Sequence, residues 1–354
     1  MLFRSGDLDV AVSTWEGDDV GETGSALAAA EVDGSLGLFV GAPGTGSQDG
    51  RVYLLTGLDA SGGTDDAAAA WRGEPGLGTV VAAGDLDGDG ATDVVAGSPL
   101  EDGGAGAAYV GLAPHEGGEL DLAVTGAEDE GVGTSVAAGD LDGDGADDLI
   151  VGLPGWEGIG AVAVRMGPVD GAVDAADADL WLAGEDSESR AGISVASGQD
   201  ADGDGRDDLL VGASDHEDHG VAWLLTTVES GLLPTLAASQ MEAIRAGDGA
   251  GETVAFVGDV DGDGFADVGV GAPEVQKASG SAYVIYGPAR GLFELYDADI
   301  QIITAYDEDE LGAVIAGAGD LDGDGRGDLV LGSQQRSDPD PDVGVVWFFL
   351  AAPI

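Results

Sequence analysis

The chain contains no cysteine, a single lysine and no long hydrophobic run. Without cysteine there is no disulfide framework, and the redox compartment of the protein stays open. Lysine and arginine together number 11 against 69 acidic residues, which gives a formal net charge of -58. A field of that sign repels phosphate backbones and anionic lipid, so we expect no nucleic acid and no acidic membrane surface as partners. The longest strongly apolar stretch, 343–354, is too short to cross a bilayer, and we predict no membrane insertion.

Histidine is also scarce, which argues against catalysis. With only His115, His216 and His219, a serine or cysteine nucleophile has few possible bases. Lys277 does not follow a glycine-rich phosphate loop, so a nucleotide-binding P-loop is excluded. We therefore predict that the protein is not an enzyme, while its many acids leave a carboxylate-pair hydrolase open. Residues 1–5 lack a hydrophobic signal segment, so either the protein is not exported by that route or its leader is not present in this chain.

What the sequence does contain is one acidic nonapeptide in five near-identical copies. The first runs from Asp85 to Asp93, and the others begin at Asp140, Asp200, Asp259 and Asp320. Each copy has aspartate at positions 1, 3, 5 and 9 and glycine at position 6. So many like charges repel one another unless a cation holds them, and alternate oxygen ligands around a sharp turn suit a hard ion of calcium size. We call these segments the acidic loops and expect about five Ca2+ ions, one in each.

The acidic loops recur about every 60 residues, as expected for an array of equivalent supersecondary units. Each unit has four short runs rich in Val, Ile and Tyr and bounded by Gly, Pro or Asp, which is the pattern of β-strands. Four strands per unit, repeated radially, are typical of a β-propeller, and the small residues before each loop fit an innermost strand. We predict an all-β fold with one propeller domain over 1–354 and units at about 8–56, 66–112, 120–166, 178–226, 240–286 and 299–350.

The first unit differs from the other five. Its acidic loop is reduced to 31–34, which lacks the equivalents of positions 5 and 9, so we expect it to bind calcium weakly or not at all. Ahead of it, 8–12 matches the fourth-strand run at 120–124, whereas the chain ends with a third-strand run at 343–350. The N-terminal strand is therefore predicted to pair into the last blade, which closes the ring and removes two sheet edges. This count predicts six blades, with seven, one of them outside this chain, as the alternative.

The string Gly-Asp-Leu-Asp-Gly-Asp-Gly-x-x-Asp-Leu-x-Val-Gly-x-Pro resembles the FG-GAP repeat of integrin α-subunit propellers and their bacterial relatives. The resemblance covers nearly the whole chain. It differs in one respect: the integrin propeller resembles a ring of seven blades, whereas this sequence shows six units. It implies that the aspartates at positions 1, 3, 5 and 9 bind calcium together with the carbonyl group of position 7. The implied ligands are Asp85, Asp87, Asp89, Ala91 and Asp93; Asp140, Asp142, Asp144, Ala146 and Asp148; Asp200, Asp202, Asp204, Arg206 and Asp208; Asp259, Asp261, Asp263, Phe265 and Asp267; and Asp320, Asp322, Asp324, Arg326 and Asp328.

The resemblance also implies a function: a calcium-binding adhesion or ligand-binding module that is extracellular or at the cell surface. We expect a protein or glycan partner on one face of the propeller, and a monomeric domain. The ions are expected to stabilise the loops first, because five protein ligands with one bidentate carboxylate come close to saturating calcium. A glycan-binding lectin or a hydrolase on the same scaffold is the alternative, since a fold does not fix a function.

One segment outside the acidic loops has the residues of a different kind of site. His216 and His219 lie three residues apart in the acidic stretch 215–219, and imidazoles at that spacing can converge on a transition metal. A solvated acidic loop is the commoner form of such a connection and is the preferred interpretation. The tripeptide Arg-Gly-Asp at 326–328 occupies positions 7 to 9 of an acidic loop, and we interpret it as a coincidence.

Overall fold

The protein is described by a computed structural model that covers residues 15–17, 22–44, 49–58, 61–233, 237, 239–243, 245, 247–275, 279–304, 309–333 and 345–351. Almost all of its regular structure is β-strand. The strands in chain order are β1 (Trp15–Glu16), β2 (Ala26–Val32), β3 (Ser35–Ala42), β4 (Gly50–Leu55), β5 (Gly62–Gly63), β6 (Ala69–Gly73), β7 (Val80–Gly84), β8 (Asp93–Ser98), β9 (Ala107–Gly111), β10 (Asp121–Thr125), β11 (Val136–Gly139), β12 (Asp148–Leu153), β13 (Ala161–Arg165), β14 (Val173–Asp174), β15 (Leu180–Ala183), β16 (Ser194–Ala196), β17 (Leu209–Ala213), β18 (Val221–Leu225), β19 (Gly231–Leu232), β20 (Ser239–Glu242), β21 (Thr253–Gly258), β22 (Asp267–Ala272), β23 (Ser281–Ile285), β24 (Gly291–Glu294), β25 (Ile300–Ile303), β26 (Leu311–Gly319), β27 (Asp328–Ser333) and β28 (Val345–Phe349).

The helical segments with described bounds are single turns in the connections between strands. They include α1 (Glu101–Gly104) and the 3-10 turns Thr64–Asp66, Trp156–Gly158, Ala175–Asp177, His216–Asp218 and Leu295–Asp297. Within the described ranges, no helix has the length and apolar character needed to cross a membrane.

Six antiparallel sheets form the six blades of a β-propeller, which confirms the predicted fold class and blade number. Blade 1 consists of β2, β3, β4 and β6, blade 2 of β7 to β10, blade 3 of β11, β12, β13 and β15, blade 4 of β16, β17, β18 and β20, blade 5 of β21, β22, β23 and β25, and blade 6 of β26 to β28. In each blade the strand before the acidic loop is innermost, because its alanines, glycines and valines allow neighbouring blades to crowd together.

In the described part of the chain, three blades carry a fifth, outermost strand that the sequence did not predict. β14, β19 and β24 pair in parallel with β10, β15 and β20, the fourth strands of blades 2, 3 and 4. Each of these short strands lies in the following unit of the chain, just before the fourth strand of that unit. It covers a sheet edge that would otherwise expose unpaired backbone groups, and it links consecutive blades at their outer rim.

Consecutive blades pack face to face, and glycine in the second strand allows their close approach. Between blades 1 and 2, Ala28 and Ala30 pack with Val81 around the buried Phe39. A Cβ added at Gly97 in β8 would lie 2.1 Å from the carbonyl oxygen of Gly133, in the segment that leads into blade 3. The same contact, at 2.0 or 2.1 Å, recurs at Gly41, Gly152, Gly212 and Gly271. The glycine of the repeated Val-Gly-x-Pro pattern is therefore required by the packing between blades.

The first and last blades each keep one apolar sheet face that is partly open. Leu27 of blade 1 is 60% exposed, and Val314 and Val346 of blade 6 are 49% and 51% exposed. The strand predicted at 8–12 lies outside the described residues, so closure of the ring by that strand stays a prediction. The nearby β1 pairs in parallel with β5, as the fourth strands of blades 2, 3 and 4 pair with their fifth strands.

Candidate metal centres

Each acidic loop is the turn between the innermost and second strands of a blade, in blades 2 to 6. Successive strands within a blade are antiparallel, so these five turns lie on the same face of the propeller, which we call the loop face. The turns between second and third strands, such as 154–160 and 214–220, lie on the other side, which we call the opposite face.

Backbone amides hold the carboxylates of the five loops in nearly the same arrangement. In the first loop, Asp85 Oδ1 accepts a hydrogen bond from the Asp89 amide at 3.0 Å, and Oδ2 accepts one from the Gly90 amide at 2.8 Å. Asp87 Oδ1 accepts from the Asp89 amide at 3.1 Å, and Asp89 Oδ1 accepts from the Ala91 amide at 2.8 Å. The equivalent bonds from positions 5, 6 and 7 recur in the loop that starts at Asp320, where backbone hydrogen bonds lower the pKa of the Asp320 carboxyl.

Three of the four carboxylates predicted as ligands converge in each of four acidic loops. Oxygens of Asp85, Asp87 and Asp93 lie within 4.8 Å of one another, and so do those of Asp200, Asp202 and Asp208. In the loops that begin at 140 and 259, the same holds for positions 1, 3 and 5, which are Asp140, Asp142 and Asp144 in one loop and Asp259, Asp261 and Asp263 in the other. Carboxylate oxygens are the type of ligand that hard divalent cations prefer.

The aspartate at position 9 is buried and ties its loop to the third strand. Asp93 Oδ2 accepts a hydrogen bond from the Leu86 amide, and Oδ1 accepts one from the Ala113 amide just after β9, both at 2.8 Å. Asp148, Asp267 and Asp328 make the same pair of bonds. In blade 4, by contrast, Oδ1 of Asp208 is buried and has no hydrogen-bond partner.

This burial has an electrostatic consequence. Loss of hydration raises the pKa of Asp93 and Asp148 to about 6 and the pKa of Asp208 and Asp267 to about 7, although the backbone hydrogen bonds act in the opposite direction. Neighbouring loop carboxylates raise these pKa values further. A cation in the loop would compensate both effects, because it replaces the lost hydration and screens the like charges.

The sequence predicted position 7 only as a carbonyl ligand and did not predict the contacts of its side chain. Phe265 lies over Gly203 of the preceding acidic loop, so that a Cβ on this glycine would lie 2.6 Å from Phe265 Cε1. Arg206 covers Gly143 and Arg326 covers Gly262 in the same way, and Arg326 also donates a hydrogen bond to the Val260 carbonyl at 3.2 Å. Each of these loops is therefore covered by a side chain from the next blade.

Position 8 contains residues that link neighbouring acidic loops, and the sequence analysis missed them. Asp147 Oδ2 accepts a hydrogen bond from the Asp85 amide at 2.8 Å, and the Asp147 amide donates to the Asp85 carbonyl at 2.7 Å. Asp207 makes the same two bonds with Asp140, each at 3.0 Å. Burial raises the pKa of both position-8 carboxyls. The only signal in the sequence was an extra acid at position 8 in two of the five copies.

The reduced loop of the first unit has become a tight turn. Asp33 and Gly34, with φ of 51° and 75°, form a two-residue hairpin between β2 and β3. The link to the next blade is nevertheless retained, since Thr92 Oγ1, at position 8, donates a hydrogen bond to the Glu31 carbonyl at 2.7 Å.

The fold and its loops define the class of protein: a β-propeller whose blades carry repeated acidic turns. The sequence matches the FG-GAP repeat at residues 77–110, 132–164, 191–225 and 250–285, which correspond to blades 2 to 5. The chain thus carries four FG-GAP repeats and resembles the integrin α propeller.

Similar proteins are integrin α-subunits from several animals. Integrin alpha pat-2 of Caenorhabditis elegans is 29% identical over 225 residues, which cover 57% of this chain and 18% of the relative. Integrin alpha-V of Gallus gallus is 30% identical over 216 residues, which cover 58% of this chain and 20% of the relative. Integrin alpha-7 of Homo sapiens is 32% identical over 214 residues, which cover 58% of this chain and 17% of the relative. The match therefore spans a fifth or less of these longer proteins, and neither the repeat nor these relatives indicate an enzyme.

Proposed function

We propose that this propeller is a calcium-binding module for adhesion or ligand binding. The observation that carries the proposal is the convergence of three carboxylate oxygens within 4.8 Å in each of four acidic loops. Calcium accepts six to eight oxygen ligands in a flexible geometry, whereas magnesium demands a near-ideal octahedron and keeps several waters. A loop that offers four carboxylates and a backbone carbonyl suits calcium better.

The proposed ligands are the aspartates at positions 1, 3, 5 and 9 and the carbonyl group at position 7 of all five acidic loops. Each carboxylate has about four lone-pair sites. The hydrogen bonds described above occupy only some of them, so the carboxylates can still bind an ion. The ions would hold turns whose charges otherwise repel, and they would stabilise the folded state because the unfolded chain lacks the assembled sites.

Calcium removal tests this proposal directly. Thermal unfolding followed by circular dichroism is expected to show a much lower midpoint in EDTA than in calcium, and restoration when calcium is returned in excess. Asp87→Asn and Asp322→Asn should each remove one ion from the stoichiometry measured by isothermal titration calorimetry. Asp121→Asn, an exposed aspartate in β10, is the matched control and should leave the stoichiometry unchanged. A midpoint that is the same in calcium and in EDTA would overturn the proposal.

The opposite face is the proposed surface for a partner. It contains a cleft of about 330 Å³ whose lining includes Asp215, Asp218, Glu252 and Glu310 around Arg190. The Arg190 guanidinium lies 3.6 Å from Asp215 and 3.7 Å from Glu252 and is partly exposed. A face of this charge favours a partner with basic groups, and the resemblance to integrin α-subunits supports a protein partner and an extracellular or cell-surface location.

A binding screen with and without calcium would test the partner. Protein and glycan arrays probed with the calcium-loaded propeller are expected to retain basic proteins, with binding that weakens as salt is raised. Asp218→Asn is expected to weaken capture, whereas Asp121→Asn, on the rim of blade 2, should not. Retention of glycans alone, or hydrolysis of any captured ligand, would contradict the protein-binding assignment and favour a lectin or a hydrolase instead.

A further inference from the structure

A second kind of polar cluster lies on the opposite face, away from the acidic loops. It is formed by Asp186, in the connection that follows β15, and by His216 and Glu217 in the turn between β17 and β18. One ligand atom from each of the three side chains lies within 4.8 Å of the other two. This set differs from the acidic loops because it contains an imidazole, and imidazole is a poor ligand for calcium but a good one for zinc and related ions.

His216 is buried and fixed in orientation. Its side chain is 6% exposed, and its ring packs edge-on against Trp223 with 5.2 Å between the ring centroids. The Nδ1 atom is buried and makes no hydrogen bond of acceptable geometry, although Asp186 Oδ2 lies 3.1 Å away. A buried ring nitrogen without a hydrogen bond destabilises the protein, and a metal ion bound at Nδ1 would supply the missing partner.

The distance between these two atoms suits a shared metal ion. Two ligand atoms that each bind zinc at about 2.1 Å stand roughly 3.0–3.5 Å apart when the angle at the metal is between about 90° and 110°. The separation of 3.1 Å between Nδ1 and Oδ2 falls in that interval. A second imidazole borders the cluster, because His219 Nε2 lies 3.8 Å from Glu217 Oε2.

We propose that Asp186, His216 and Glu217 form a binding site for a divalent transition-metal ion, and that this ion is Zn2+. The carboxylates of Asp186 and Glu217 remain 41% and 61% exposed, so an ion can enter from solvent without opening the blade. This proposal differs from the solvated acidic loop that was preferred from the sequence. The site does not depend on the calcium loops, which lie on the other face.

The neighbouring blade provides a natural comparison. The turn Trp156–Gly158 in blade 3 has the same backbone shape as His216–Asp218 in blade 4, with φ of 45° at Glu157 and 48° at Glu217. At the position of His216, however, it has Trp156, whose ring packs on Trp181 with 5.0 Å between centroids. Blade 3 therefore has the glutamate and the turn but not the imidazole, and Glu157 is the matched control residue.

Zinc titration in the presence of saturating calcium tests the proposal. The calcium-loaded protein is expected to bind one further equivalent of Zn2+ in isothermal titration calorimetry, with competition by a zinc chelator. His216→Asn and Asp186→Asn should weaken this binding by tenfold or more, whereas Glu157→Gln should leave it unchanged. Because Asp186 is partly exposed, the Asp186→Asn variant should keep the calcium-dependent melting midpoint of the parent. Its zinc affinity therefore tests the proposal even if the His216→Asn variant does not fold.

The zinc experiment separates the new site from the proposed calcium sites. Binding of one zinc ion that excess calcium does not displace, and that the two substitutions weaken, supports the assignment whether or not the acidic loops bind calcium. Zinc binding that saturating calcium abolishes would mean that zinc enters only the acidic loops. Equal zinc affinity in Asp186→Asn and in the parent would also overturn the site.

Discussion

The aspartate at position 9 has two roles: it is a proposed calcium ligand, and its buried carboxylate holds the backbone through hydrogen bonds. Its carboxylate accepts amide hydrogen bonds from the start of its own loop and from the end of the third strand, as in Asp93. Without a cation, the same burial makes ionisation of the carboxyl group unfavourable. The sequence identified this residue because the acid recurs at a fixed spacing. Its anchoring role was not predictable, since Ala113 lies 20 residues away from Asp93.

The raised pKa values predict an unusual pH dependence for the calcium-free protein. The carboxyls of Asp93, Asp148, Asp208 and Asp267 have pKa values of about 6 to about 7 in the folded protein, against an ordinary aspartate value of 3.8. Between these values the folded state binds more protons than the unfolded state, so the free energy of unfolding falls as the pH rises. In EDTA the melting midpoint should therefore decrease from about pH 4 to about pH 7, and with calcium this loss should be suppressed because the ion favours the ionised carboxylates.

The control for this prediction is Asp208→Asn. The amide cannot ionise but can still accept the hydrogen bond from Ala201, so in EDTA the variant should melt above the parent at about pH 7 and close to it at about pH 4. A midpoint of the parent in EDTA that rises throughout this interval would contradict the prediction.

At the scale of the strand and the blade, local patterns determine most of what the sequence could predict. Four apolar runs per unit and a regular spacing were sufficient for the strands, the acidic turns and the six blades, because each is set by neighbouring residues. The fifth strands could not be predicted in this way. β14 and β19 have two residues each and pair with the blade before their own unit, so no periodicity marks them.

The glycine of the second strand gives a prediction at this scale. Gly97→Ala places a methyl group 2.1 Å from the Gly133 carbonyl oxygen, and the backbones of blades 2 and 3 must separate to accept it. We expect a loss of about 1–3 kcal/mol in the free energy of unfolding, measured by urea denaturation in calcium. Gly57→Ala is the control: its φ of +66° is strained for alanine, but no atom lies within 4 Å of the new methyl group, so its cost should not exceed about 1–2 kcal/mol. Equal stability of Gly97→Ala and the parent would contradict the packing role of this glycine.

Across the whole molecule, the acidic loops form a connected chain rather than five isolated turns. In blades 3, 4, 5 and 6, the backbone amide of position 8 donates a hydrogen bond to the carbonyl group of position 1 in the blade before it. In the first two of these contacts the Asp147 and Asp207 carboxylates add a second hydrogen bond. Sequence reasoning treated each loop separately because the partners are about 60 residues apart. The contacts predict that the proposed calcium sites of neighbouring blades affect one another.

A double-mutant cycle measures this coupling. Asp147→Ala leaves the Asp85 amide without one acceptor, which should cost about 1–3 kcal/mol and disturb the position-1 ligand of the preceding loop. In combination with Asp85→Asn, its effect on calcium-dependent stabilisation should therefore be less than additive, because both changes damage the same loop. Combined with Asp259→Asn in blade 5, which shares no hydrogen bond with Asp147, the effects should add to within about 0.3–0.5 kcal/mol.

Asp147→Asn, which retains an acceptor oxygen, should restore most of the stabilisation. If the pair Asp85 and Asp147 is as additive as the distant pair, the loops bind calcium independently and the connected chain of hydrogen bonds only aligns the blades.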